Sequence, residues 1–126
     1  NGDVLLASTG DGTLGKCCVF DIDSPAIADG HVTILRVDPK IIDPYYLADY
    51  LRYGFGSEQV NRLYTGSTGL IELTPEQVDT IIVDLKKGIS EQQNVSAQIR
   101  KLENQYQDMQ AEADNILRKA QSILSL

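Results

Sequence analysis

Apolar and polar positions alternate over strand-length distances early in the chain and over helical distances late in it. Residues 3–8 (DVLLAS) and 16–22 (KCCVFDI) are apolar runs of strand length. Between them lies Thr9-Gly10-Asp11-Gly12-Thr13-Leu14-Gly15, rich in turn formers and read as a tight connection between two strands. Residues 31–37 (HVTILRV) alternate and are β-branched, and residues 80–85 (TIIVDL) carry the same signature, so four strands are predicted. The middle reads as helical. Pro44 suits the first position of a helix whose apolar face is Tyr45, Tyr46, Leu47, Tyr50 and Leu51. Gly54 and Gly56 interrupt it, and Ser57 is placed to cap a second short helix through Tyr64. Thr74-Pro75-Glu76 has the cap, the proline and the acid of a single helical turn.

The last segment carries the clearest signal. Ser90 to Gln93 (SEQQ) has the spacing of a capping box, serine accepting an early backbone N–H and glutamine reaching back. Val95, Ile99, Leu102, Tyr106, Met109, Ala113, Ile116, Ala120 and Ile123 then follow at spacings of four and three, a heptad seam without glycine or proline inside it. Such a helix spans roughly 50 Å, further than a domain of this size can cover, so a helix partner is expected. With Val95 at heptad position d, the a positions are Ile99, Tyr106, Ala113 and Ala120. Parallel pairing would stack alanine on alanine. Antiparallel pairing sets each alanine against a larger residue, and native packing density disfavours voids.

The expected fold is therefore α+β: a small mixed α/β domain over residues 1–90, then one long α-helix over 91–126 that pairs as an antiparallel coiled coil. Four short strands are few for a closed core, and the first begins at the terminus, so the N-terminal part of the domain is expected to be missing or supplied elsewhere. The chain starts without Met and without a basic-then-apolar leader, which suggests a fragment or a processed product and shows no signal peptide. No apolar run approaches the roughly 20 residues of a membrane span.

Charge and cysteine content narrow the chemistry. Net charge is −7, and the first ninety residues hold 13 Asp/Glu against 7 Lys/Arg, an unusual balance for a chain that binds nucleic acid unaided. Cys17 and Cys18 are adjacent in a strand, where neighbours point to opposite faces, so they are read as reduced cysteines of a cytoplasmic protein. The glycine-rich stretch lacks the lysine and hydroxyl of a phosphate loop, and a strand follows it. His31 has no second ligand nearby in sequence, and no nucleophile, base and orienting group come together, so neither metal site nor enzyme is expected. What remains is a surface with cationic and hydrogen-bonding reach: Arg62, Tyr64, Ser67 and Thr68 as the best local cluster, with Lys16 and Arg52, and Lys86 and Lys87 near the helix start. Arginine suits guanine edges, and small loops with hydroxyls suit phosphates.

In its order of segments the chain resembles the specificity subunit of type I restriction–modification enzymes, in particular the later part of a target recognition domain and its spacer helix. Gly2-Asp3-Val4-Leu5-Leu6 with Thr13-Leu14-Gly15 is similar to that family's strand and "G-T-I-G"-like turn. Asp43-Pro44-Tyr45-Tyr46-Leu47 with Tyr50-Leu51 is similar to its "Y-L-x-x-x-L" helix, Gly66-Ser67-Thr68 to its small loop, and Ser90-Glu91-Gln92 to its "S-E-Q" helix start. Lys86-Lys87-Gly88-Ile89 stands where the family usually has a proline pair. The resemblance implies a non-catalytic subunit in which antiparallel helices hold two recognition domains apart, each reading one half of a split target in double-stranded DNA. It implies methyltransferase and restriction subunits as partners, with S-adenosylmethionine and the ATP-driven nuclease belonging to them and no cofactor here. The long helix would join either a homodimer or the second half of a longer specificity subunit. An alternative is a coiled-coil-dimerised protein-interaction module without DNA binding.

Overall fold

A computed structural model describes residues 2–10, 12–63, 72–85 and 88–125. β1 (Asp3–Ala7) lies at the centre of an antiparallel sheet, with β2 (Cys17–Phe20) on one side and β3 (Val32–Leu35) on the other. Leu5 stands opposite Cys18 in one neighbour and Ile34 in the other. The period of two in β1 is expressed directly: Val4 and Leu6 are fully buried, and Asp3, Leu5 and Ala7 are not. The glycine-rich stretch is the connection between β1 and β2, as its composition predicts. Gly15 N–H donates to Ala7 and Ala7 N–H to the Lys16 carbonyl, which extends the ladder past the last strand residues. Gly10 sits at φ +92° with the Thr13 hydroxyl 2.4 Å from where a Cβ would lie, so only glycine fits there.

Helices cover one face of the sheet. α1 (Pro44–Tyr53) begins with proline, and the Asp43 carboxylate caps it by accepting from Tyr46 N–H at 3.0 Å. Tyr46, Leu47, Ala48 and Leu51 enter the core with Val4, Leu6, Cys17, Ile42, Val60, Leu73 and Val78. α2 (Phe55–Leu63) starts two residues before the expected Ser57 cap and takes Gly56 inside. A Cβ on Gly56 would meet the Tyr50 ring at 2.7 Å and its carbonyl at 2.9 Å. The glycine thus permits two helices to turn sharply on each other rather than ending a helix. α3 (Pro75–Val78) is the single turn that its cap signals predict, closed by a reciprocal Thr74 and Gln77 capping box.

The expected fourth strand, residues 80–85, is not a strand. Its backbone groups are met by side chains instead of a neighbouring ladder: Gln59 accepts from Ile82 N–H and donates to its carbonyl, Tyr50 hydroxyl donates to the same carbonyl, and Tyr46 hydroxyl to that of Asp84. The alternation survives, with Ile81 and Val83 packed on the core and Ile82 exposed. Apolar periodicity is blind to which groups satisfy the backbone.

α4 (Ile89–Leu124) is 36 residues long, about 54 Å at the usual rise. The capping box expected at Ser90 does not form: the N-cap is Gly88, with no side-chain cap bond, and Ser90 lies inside the helix. Gln92 is instead fully buried, its Oε1 accepting from Asp43 N–H at 2.8 Å and its Nε2 donating to the Ile41 carbonyl. It therefore pins α4 to the very residue that caps α1. The fold is α+β, a small domain of three strands and three short helices followed by one long helix, counted among the described residues. No helix among those residues is long and apolar enough to cross a membrane.

Candidate functional site

Two surfaces hold most of the described residues singled out by sequence. The first is a shallow cleft of about 510 Å³ where the β1–β2 connection meets α1 and α2, lined in part by Lys16, Arg52, Ser57 and Asn61. Lys16 is exposed there and makes no ion pair among the described residues. Arg62 follows Asn61 on α2, exposed and likewise unpaired among the described residues. Tyr64, Ser67 and Thr68, with Lys86 and Lys87, lie outside the described residues. Asn61 was not read from the sequence and Ser57 was read only as a helix cap; both line the cleft from α2, which follows α1 through Gly54.

Arg52 is bound differently. Its guanidinium pairs with the buried Asp49 carboxylate one turn before it and with Glu103 of α4 at 2.9 Å. Arg100, also on α4, pairs with Glu103 at 2.9 Å and approaches Asp49 to 3.8 Å. Tyr53 hydroxyl donates to Glu103 at 2.8 Å. Desolvation works against the Arg52 charge, but the Asp49 hydrogen bond and the charges of Glu103 and Asp49 outweigh it and hold its pKa above the ordinary value. Two arginines and two carboxylates thus bridge α1 and α4, and Arg52 faces this cluster as well as the cleft. The i,i+3 spacings Asp49–Arg52 and Arg100–Glu103 were the available signal. Burial pushes the Cys17 thiol, also in the cleft wall, up to about 12. It stays protonated at neutral pH and offers no nucleophile.

The second surface is the seam of α4. Val95 and Ile99 are half-buried, Val95 against the domain core. From Leu102 onward the stripe is uncovered: Leu102 is 64% exposed, Tyr106, Met109 and Ile116 are as open, and Ile123 reaches 72%. Ala113 and Ala120 are exposed between them. Leu117 and Leu124, which the seam did not include, widen the stripe on one flank. Near the domain, Tyr53, Ile99, Leu102, Glu103 and Tyr106 line an apolar groove of about 420 Å³. No group of His, Cys, Asp and Glu among the described residues could hold a metal ion. Compared with known proteins, the chain matches no protein-family model and no curated protein.

Proposed function

We propose that this chain is a non-catalytic DNA-specificity module of the kind found in type I restriction–modification enzymes. The domain reads one half of a split target in double-stranded DNA, and α4 pairs antiparallel to hold two such domains apart in the cytoplasm. Methyltransferase and restriction subunits would then be positioned on the bound target. One observation carries the reading: a small α+β domain bears a 36-residue helix whose apolar seam is uncovered from Leu102 to Ile123. A water-exposed apolar stripe of that length needs a partner helix, and a separating rod is what a divided DNA target requires. Lys16, with Asn61 and Ser57 beside it in the cleft, and Arg62, next along α2, are the cations offered to phosphate or base. Tyr64, Ser67 and Thr68 complete the proposed contact. Arg52 serves the α1–α4 cluster first and reaches DNA only at the cleft edge.

A second reading is favoured by one fact, the net charge of −7. In it the domain binds a protein and α4 merely dimerises. Salt dependence separates the two. In complex with methyltransferase subunits, Lys16→Ala and Arg62→Ala should each weaken DNA binding and reduce the slope of log affinity against log salt by about 1 where a phosphate contact is lost. If Arg62 meets a base edge, its loss costs about 1–3 kcal/mol and relaxes specificity. Unchanged affinity and slope in the double variant would remove this surface and leave the protein-binding reading.

A further inference from the structure

We propose that an extended segment of a partner protein, apolar at alternate residues and basic between them, inserts as a strand beside β3, with residues 81–83 flanking its other side. The inference concerns β3 and the approach to α4, and it needs neither the cleft nor the seam of α4.

β3 is an edge strand with outward backbone groups unmet. Ser8 N–H donates to the His31 carbonyl at 2.9 Å, and the same register sets Leu6 opposite Thr33 and Val4 opposite Leu35. Bonded pairs recur at every second residue of an antiparallel ladder. Thr33 and Leu35 therefore bond β1, while the N–H and C=O of Ile34 and the N–H of Arg36 face away from it. None of these three groups has a hydrogen bond among the described residues. Residues 81–83 present a second open side. The Tyr50 and Tyr46 hydroxyls reach the carbonyls of Ile82 and Asp84, two residues apart on one side, as the period of an extended chain requires. The Gln59 amide meets both backbone groups of Ile82 on that side. The N–H and C=O of Val83 then point the other way, and neither is bonded among the described residues. The strand-like alternation of residues 80–85 thus has side chains serving one flank and no described group serving the other.

Both segments border one trough of about 400 Å³, whose lining side chains are mostly apolar: Leu35, Val37, Leu47, Val78, Ile81 and Val83. An ordinary edge strand faces only water. This one faces an apolar lining and a second extended segment, so an inserted strand finds backbone partners and a place for every second side chain. Charge selects the side chains that remain at the rim. Asp79 lines the trough, and Asp38 and Asp84 directly follow its lining residues Val37 and Val83. Arg36, the one cation of the lining, is held by Asp3 through two bonds of 2.9 and 2.7 Å. Lysine or arginine on the partner therefore meets an acidic border, and an acidic strand is repelled. β3 is four residues long, so about 13 Å of partner strand can pair with it.

The test uses the full chain and a short synthetic peptide that alternates valine with lysine and threonine. Titration followed by amide NMR should show saturable binding, with the largest shifts at Ile34, Arg36 and Val83 and slowed exchange of the Ile34 amide. Methylating every second backbone nitrogen of the peptide keeps its side chains but removes main-chain donors, and affinity should fall about tenfold. Glutamate in place of lysine should weaken binding several-fold. Ile34→Pro removes an outward N–H and leaves the β1 ladder intact, since proline is tolerated on a free strand edge. Its circular dichroism should match the parent's, and its peptide affinity should fall about tenfold. Asp79→Lys, a change at an exposed rim position, should reverse the preference between the lysine and glutamate peptides. Binding that survives both methylation and Ile34→Pro, shifts centred elsewhere, or no saturable binding overturns strand insertion. Chain dimers that Ile34→Pro dissolves would assign the edge to a second copy and overturn the partner strand.

Discussion

Over its first four turns α4 is held to the domain by polar groups with fixed directions: Gln92 bonds Asp43 and Ile41, and Arg100 and Glu103 lock onto Asp49, Arg52 and Tyr53. Beyond Glu103 the same helix presents an apolar stripe flanked by exposed polar residues, with no bond to the domain among the described residues. Both stretches are helical and both carry apolar residues at heptad spacing, yet they are built for different tasks. Directional bonds specify an angle and punish any other arrangement, because each unmatched group is left buried. Apolar area supplies affinity without dictating orientation so strictly. Attachment within the chain is specified by chemistry; in the proposed pairing, attachment between chains would rest on area and shape.

The largest effect should come from the distal stretch. Leu102→Asp with Ile116→Asp puts a charge into an apolar layer at several points of the pair, at several kcal/mol per buried ion. Sedimentation should show monomers whose circular dichroism keeps the domain's signal. A dimer of undiminished affinity would break the contrast, since the distal face would then not be what associates. Next comes the proximal cluster. Asp49→Ala leaves Arg52 and Arg100 facing each other without their buried carboxylate, and the domain should lose about 2–4 kcal/mol in urea unfolding, less than a wholly buried pair because Arg52 is 25% exposed. Dimer affinity, measured below the unfolding range, should change far less. The smallest effect sharpens the contrast within one residue type. Gln92→Ala abandons the part-buried Asp43 N–H and Ile41 carbonyl and should cost about 1–2 kcal/mol, while Gln105→Ala on the exposed stretch should stay within about 0.5 kcal/mol. Equal costs for the two glutamines would mean that the proximal bonds do not fasten the helix.

Much of this was legible in the residues. The helices announced themselves through Pro44, Thr74-Pro75 and the long four–three seam, and the glycine-rich hairpin through its composition. The failures share a cause. Residues 80–85 have a strand's alternation, but Gln59, Tyr46 and Tyr50 serve their backbone, and no local pattern reveals which distant side chain will do so. Ser90 has the chemistry of a cap, but the helix already begins at Ile89, where Gln92 is held by Asp43, forty-nine positions earlier. Arg52 looked like a free cation for DNA because charge is read one residue at a time. Its pairing with Glu103 exists only after α4 has packed on α1. Val95 and Ile99 were counted with the seam on spacing alone, although Val95 packs on its own domain and Ile99 stands at the border.

The cluster of Asp49, Arg52, Arg100 and Glu103 also has a mechanical side. From Glu103 to the end of α4 is a lever arm of about 30 Å with no further attachment to the domain among the described residues. A tilt of about 10° at the fulcrum would swing its tip by about 5 Å, as far as one helical turn is from the next. Four charged side chains at one end of the rod therefore set the bearing of its far end, and their stiffness limits how far that end can swing.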